Sequence, residues 1–265
     1  MNAALAMRMI GADFLKLRKK VGTLVWALVL TLGPLLIFFI VRAAQHSSGP
    51  AEHPPAGGLG GFEDALPVLA AFFGLLAAIM VGTEAGTADV GAGVFRDLIV
   101  TGRSRLALFL SRVPAALALC WLVVGVGYLL TIVGTYALAS GSPTPSASLV
   151  LNGLGFTALS TGVVCVVAVG FASLTGSRAT ALTVLIGWQL VASRILENIS
   201  SLGSARELIL SQALVHFSPI ALGEHHGPRG GQVVTMSTGT AIAVMLGWLA
   251  VFLALGAWRT RTMDA

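Results

Sequence analysis

Few side chains in this 265-residue chain can do chemistry, and their neighbours exclude most of the familiar reactions. Lysine occurs only at Lys16, Lys19 and Lys20, and none of them follows a glycine. A P-loop needs Gly-Lys-Ser/Thr so that the lysine reaches the β- and γ-phosphates. The chain is therefore not expected to hydrolyse ATP by that route, and it carries no dinucleotide-binding fingerprint between a strand and a helix either. Cys120 and Cys165 stand inside apolar runs, with neither a disulfide framework nor metal-ligand spacing. They read as small packing residues. The histidines His46, His53, His216, His225 and His226 all fall between apolar runs. His225 and His226 beside Glu224 could hold a borderline metal, but ligand spacing along a helix is missing, so no metal is expected.

Charges inside apolar runs would mark an ion or proton path. The cores of these runs hold none, which weighs against a proton- or sodium-coupled carrier. Arg194 and Glu197 come nearest, three residues apart near the end of a run. Long side chains there reach the interface, and the two read as an interfacial salt bridge. Uncharged polar groups do occur within the runs, at Thr31, Asn152, Thr157, Ser160, Thr161, Thr183, Gln189 and Ser193. Asn152, Thr157, Ser160, Thr161 and Gln189 are the candidates to line a path for an amphipathic substrate. Gly155, Gly162 and Gly170 near them would let helices approach closely.

The elements that position these residues follow from composition. Hydrophobic residues make up 56% of the chain and charged residues 10%, with a mean hydropathy of +0.89. A soluble domain carries about 25% charged residues, and a disordered chain is poor in apolar ones. Both classes are excluded, leaving an all-α integral membrane protein. A crossing helix needs about 20 apolar residues. Six such spans are predicted, at about 22–41, 66–82, 106–138, 149–174, 179–195 and 239–258. Ser140-Gly141-Ser142-Pro143-Thr144-Pro145-Ser146 separates the third from the fourth. The first span is too long for a signal-peptide core and lacks a convincing cleavage site.

Lysine and arginine placement sets the orientation. With the N-terminus in the cytoplasm, twelve of the 16 fall inside and only Arg42, Arg194, Arg206 and Arg229 outside. Both termini are then cytoplasmic, in the inner (plasma) membrane. The net charge of +5 thus reflects topology, and no nucleic-acid partner is expected. Residues 1–21 form a separate element, because Ile10, Phe14, Leu17 and Val21 share one helical face. Such a helix should lie in the inner-leaflet interface, its basic residues meeting anionic headgroups. Residues 22–265 form the transmembrane domain.

Two segments between spans stand out. Gln45 to Asp64 is rich in Gly, Pro and Ser and reads as an external connector. The cytoplasmic stretch Glu84–Arg112 carries Glu84, Asp89, Arg96, Asp97, Arg103, Arg105 and Arg112. Within it, Val94 to Ile99 could form a short amphipathic helix suited to docking a partner. An ordinary positive-inside loop remains the alternative reading. The external region from Glu197 to Gln232 is longer than a connection requires. Its stretch Ala205–Val215 looks helical and apolar on one side.

These features together resemble the permease subunits of type-2 ABC exporters. Asp13-x-x-Lys16-Leu17-Arg18 is similar to the acidic-x-x-Lys-Leu-Arg stretch of that family's N-terminal elbow helix. Asp89-x-x-x-Gly93-x-Phe95-Arg96-x-Leu98-Ile99, then Gly102-x-Ser104-Arg105 and Arg112, is similar to its first cytoplasmic loop. Here Asp89 stands for the family's Glu, Val94 for a Thr, Gly102 for a Pro and Arg112 for a Lys. The resemblance implies that Asp89, Gly93, Phe95, Arg96, Asp97, Leu98 and Arg105 contact a separate ATP-binding cassette subunit. ATP and magnesium would be bound by that partner, and this chain would carry no cofactor. It also implies a second permease, either another copy of this chain in a homodimer or a similar one. The alternatives are a non-transporting membrane anchor or immunity protein and a gradient-driven secondary transporter.

Overall fold

The computed structural model describes residues 3–91, 93, 104–220 and 236–262, and every regular element among them is helical. Helix α1 covers Ala3–Arg18 and α2 covers Val21–Ser48. Helix α3 (Gly58–Pro67) passes through a π-helical segment, Val68–Phe73, into α4 (Gly74–Gly91). Helices α5 and α6 cover Arg105–Ala137 and Ala147–Thr175. Helix α7 (Arg178–Gly187) continues through a second π-helical segment, Trp188–Ala192, into α8 (Ser193–Asn198). A 3₁₀ stretch, Ser200–Leu208, leads to the short α9 (Leu210–Val215), and α10 covers Thr238–Thr262.

Among the described residues, six helical runs are long and apolar enough to cross a bilayer: Val21–Ser48, Gly58–Asp89, Arg105–Ala137, Ala147–Thr175, Arg178–Asn198 and Thr238–Thr262. The shortest has 21 residues, which at about 1.5 Å per residue matches a hydrocarbon core of about 30 Å. The chain is a multi-pass membrane protein.

The helices run beyond the apolar cores that the sequence marks. The connector expected over Gln45–Asp64 shrinks to the stretch between Ser48 and Gly58, because both flanking helices extend into it. More consequentially, α4 does not stop at Glu84. It continues to Gly91, so Glu84 and Asp89 sit on a membrane helix instead of in a loop. A charge ends the apolar run without breaking the hydrogen-bond ladder, and no breaker intervenes before Gly91. Proline is a weak stop signal here as well, since Pro34 and Pro114 lie inside α2 and α5. The turn between α5 and α6 forms where Ser140 and Gly141 take positive φ, at 45° and 81°. Serines cap the next two helices, Ser146 accepting from the Leu149 amide and Ser177 from the Thr180 amide.

Helices α4 and α6 pack on each other at the centre of the bundle, and Ala78, Ile79 and Val81 of the one and Cys165, Ala168 and Val169 of the other are buried. The pair is held close by Gly82 and Gly86. A methyl group on Gly82 would lie 2.5 Å from the Cys165 carbonyl oxygen, and one on Gly86 2.6 Å from that of Val169. Gly170 plays the same part against Phe252 of α10. Gly155, by contrast, faces open space. The outer helices expose large apolar side chains, including Val25, Trp26, Ile37 and Ile40 of α2 and Leu246 and Trp258 of α10. A surface of that kind is matched by lipid chains, not by water.

Helix α1 packs against α5 and α4. The apolar stripe expected on it divides: Leu17 is buried, Ile10 and Phe14 lean on the core, and Val21 is exposed at the start of α2. The stripe is thus used largely on protein. Helix α9 likewise turns Leu210, Ala213 and Leu214 into the core and packs on α10.

Candidate functional site

The bundle end that carries α1 gathers charges from four helices and from the α1–α2 turn. Asp89 of α4 has one carboxylate oxygen 2.7 Å from Nη2 of Arg112 of α5 and the other 3.2 Å from Nζ of Lys16 of α1. Lys16 also meets Asp13 at 3.2 Å, and Asp13 accepts from the Ser111 hydroxyl at 2.6 Å. Five residues earlier on α4, Glu84 pairs with Nη1 of Arg178 of α7 at 2.8 Å and with Lys20 at 3.8 Å. The Thr23 hydroxyl donates to Glu84 at 3.0 Å and accepts from Nη2 of Arg178 at 3.0 Å. Between the two carboxylates, the Gly86 carbonyl accepts from Nη1 of Arg112 at 3.3 Å and from the Ser173 hydroxyl of α6 at 3.1 Å.

Burial makes this arrangement energetically weighty. The side chains of Asp89 and Arg112 are 5% and 4% exposed, and that of Glu84 is 7% exposed. Desolvating a carboxylate costs several kcal/mol unless partners surround it, and each of these has at least two charged or hydrogen-bonding partners. The cations Lys16, Lys20 and Arg178 are partly exposed and close the site from outside. Burial pulls the Lys16 ammonium pKa down, but Asp89 and then Asp13 outweigh it, and the net shift is upward. A raised lysine pKa means that, while Asp89 and Asp13 are ionised, these contacts stabilise the fold fully below the ordinary lysine value of 10.5. On the alkaline side they are lost as the pH rises through the higher folded-state value. In chemical terms the site is a clamp: it fixes α1, α2, α4, α5 and α7 to one another, and the pocket between Asp13, Lys16, Asp89 and Arg112 measures only about 10 Å³.

Of the residues expected to meet a partner, Asp89 is turned inward and committed to Arg112 and Lys16, so its side chain offers no outward contact. The reason is the extension of α4, which carries Asp89 into the bundle. Gly93 takes a left-handed φ of 68° just beyond α4. Arg105 begins α5 and donates from Nη1 to the Arg261 carbonyl at 3.0 Å, linking the base of α5 to the end of α10. Phe95, Arg96, Asp97 and Leu98 lie outside the described residues, as do Glu224, His225 and His226.

The polar residues of the spans separate into distinct groups. Thr157 and Thr161 of α6 donate to carbonyls one turn back, at 2.8 and 2.7 Å, and Thr31 of α2 does the same at 3.1 Å. Ser160 donates across to the Ala70 carbonyl at 2.9 Å, where the π-helical segment alters the ordinary ladder. Asn152 and Thr183 are exposed. Thr157, Ser160 and Thr161 are therefore spent on helix backbones within the packed core, whereas Gln189 borders a cavity. Arg194 and Glu197 do pair, at 3.4 Å, and Glu197 also takes the Ser211 hydroxyl. His46 bonds the His53 carbonyl and His216 the Thr238 hydroxyl, at 2.8 and 3.0 Å.

The clamp was readable from the sequence only in fragments. Asp13 and Lys16 stand three apart, and α4 meets no breaker before Gly91, but nothing local says that these residues meet. The glycine pair does carry a local signal, Gly82-x-x-x-Gly86, overlooked beside the more numerous glycines of the fourth span. Fold and site together define a polytopic α-helical membrane protein with a buried ionic clamp at one end. No family model matches the chain, and no curated protein is significantly similar to it.

Proposed function

We propose that this chain is the membrane-spanning permease subunit of an ATP-driven exporter of the ABC type, coupled to a separate ATP-binding subunit through the segment that joins α4 to α5. One observation carries this reading. The two short patterns that resemble the family lie far apart in the chain, yet Lys16 of the first bonds Asp89 of the second, and Asp13 bonds Ser111 beside the second pattern's Arg112. A force applied to the α4–α5 segment would reach α1, α2 and α7 through that clamp. In this reading α1 lies at the cytoplasmic interface, both termini are cytoplasmic, and the clamp sits where the ATPase would push. Two permease subunits, two copies of this chain in the simplest case, would rock against each other to move substrate outward.

The decisive experiment expresses the chain with its neighbouring genes and purifies it in mild detergent. An ATPase should co-purify in stoichiometric amount, and its activity should follow the permease. Substituting Phe95 and Arg96 together with alanine should reduce ATPase retention at least about tenfold, since interface anchors of this kind commonly contribute about 2 kcal/mol each. The substituted chain should still insert and purify. A well-behaved wild-type chain that recruits no ATPase would move the reading to a membrane anchor or immunity protein. A reporter that fluoresces only in the cytoplasm, fused after Ala265, should be bright, and a dark fusion would reverse the orientation.

A further inference from the structure

Away from the clamp, the fifth and sixth spans enclose a cavity of about 250 Å³ between α4, α6, α7, α9 and α10. Its walls are apolar and aromatic, with Phe171, Trp188, Leu214, Trp248 and Phe252 among them, and one polar side chain of note, Gln189. Gln189 is only 8% exposed, and its amide has no hydrogen-bond partner among the described residues. The nearby Ser211 hydroxyl is already donated to Glu197. Trp248 and Phe252, stacked with ring centroids 5.5 Å apart, also border a broader groove on the outer face of α10. Trp248 and Phe252 are therefore a wall that the cavity and the groove share.

Gln189 lies about 16 Å along the helix from Arg178, at 1.5 Å per residue, which is near the middle of a 30 Å hydrocarbon core. An unpaired amide at that depth is costly, because a lipid chain can neither donate to it nor accept from it. An apolar cavity of this kind does not fill with water on the strength of one polar group. The lining holds no charge, so an ionised ligand would be desolvated without a counter-ion. The volume falls just below the range of drug-sized sites.

We propose that this cavity binds a small neutral apolar molecule bearing one hydrogen-bonding group, a hydroxyl or a carbonyl, which enters from the bilayer past Trp248 and pairs with the Gln189 amide. The site requires only the membrane setting and is independent of the export reading.

The test uses the full chain in lipid nanodiscs, with Trp26, Trp121 and Trp258 replaced by phenylalanine so that Trp188 and Trp248 report alone. The probe is a decyl-substituted benzoquinone, which is neutral, carries carbonyl acceptors and quenches indole emission on contact. Quenching should saturate, and 1-decanol should displace the probe at roughly threefold to tenfold lower concentration than decane, the worth of one hydrogen bond. Gln189→Leu should weaken probe binding by the same factor and make the two competitors equal. Quenching that rises linearly with bilayer quinone, without saturation, would overturn the proposal. Equal displacement by decane and 1-decanol in the unsubstituted cavity would also overturn it, and would make the cavity a slot for a lipid hydrocarbon chain.

Discussion

Replacing Arg112 with methionine is expected to destabilise the chain by about 3–5 kcal/mol, the cost of leaving a buried charge without its main partner. The guanidinium holds Asp89 at 2.7 Å and the Gly86 carbonyl at 3.3 Å. Once it is gone, Asp89 keeps, among the described residues, the cation of Lys16, whose side chain is 44% exposed and bonded to Asp13 as well. In thermal unfolding followed by size-exclusion fluorescence in detergent, this corresponds to a drop of roughly 10 °C. The double substitution Asp89→Leu with Arg112→Met should recover most of the loss, because apolar groups often replace a buried pair at little cost. Lys16 would retain Asp13, and the Gly86 carbonyl would retain the Ser173 hydroxyl at 3.1 Å. Recovery in the double variant separates an ionic clamp from a side chain that merely fills space. A single variant that melts with the unaltered protein would remove the clamp from the account of stability.

Gly86→Val should be nearly as damaging, at about 3 kcal/mol. The new Cβ would lie 2.6 Å from the Val169 carbonyl oxygen and 2.7 Å from the Ala172 methyl group. The first of these is backbone and cannot rotate away, so α4 and α6 must separate. Inserting methyl groups into a packed core costs about 1–3 kcal/mol even where side chains can adjust. Separation here also displaces the Gly86 carbonyl, which Arg112 and Ser173 both use. Gly155→Val is the matched control on α6, since no atom lies within 4 Å of its added methyl group. Its melting temperature should stay within about 2 °C of the unaltered protein. Equal losses in the two variants would point to a general effect of valine in a helix and not to close helix approach.

The two substitutions mark different limits of sequence reading. Gly82 and Gly86 are four apart on one helix, and that spacing is a local pattern which a bilayer rewards, because small residues let helix backbones meet. Its partner face, from Cys165 to Ser173, is set only by packing. The clamp is less local still. Lys16 and Asp89 are 73 residues apart, and Ser111 and Asp13 are 98 apart. Reading charges as the ends of spans placed Glu84 and Asp89 in a loop, where they looked like surface groups. The ladder of α4 carries them on to Gly91 and into the bundle.

Gln189 shows the same limit among uncharged residues. Composition treats it as one polar residue of several within the spans. Thr31, Thr157 and Thr161 satisfy themselves on carbonyls of their own helices, which a short hydroxyl side chain can reach. The longer amide of Gln189 stands off its helix and faces a cavity built by four others.

The helical class and the six runs long and apolar enough to cross a bilayer were determined by the chain itself. Hydrocarbon offers no hydrogen bonds, so each long apolar run must satisfy its backbone within its own helix wherever its neighbours lie. Which faces touch, which carboxylates are buried and which amide borders a cavity depend on contacts between residues tens of positions apart. Those were decided only when α4 and α6 closed on each other and the remaining helices packed around them.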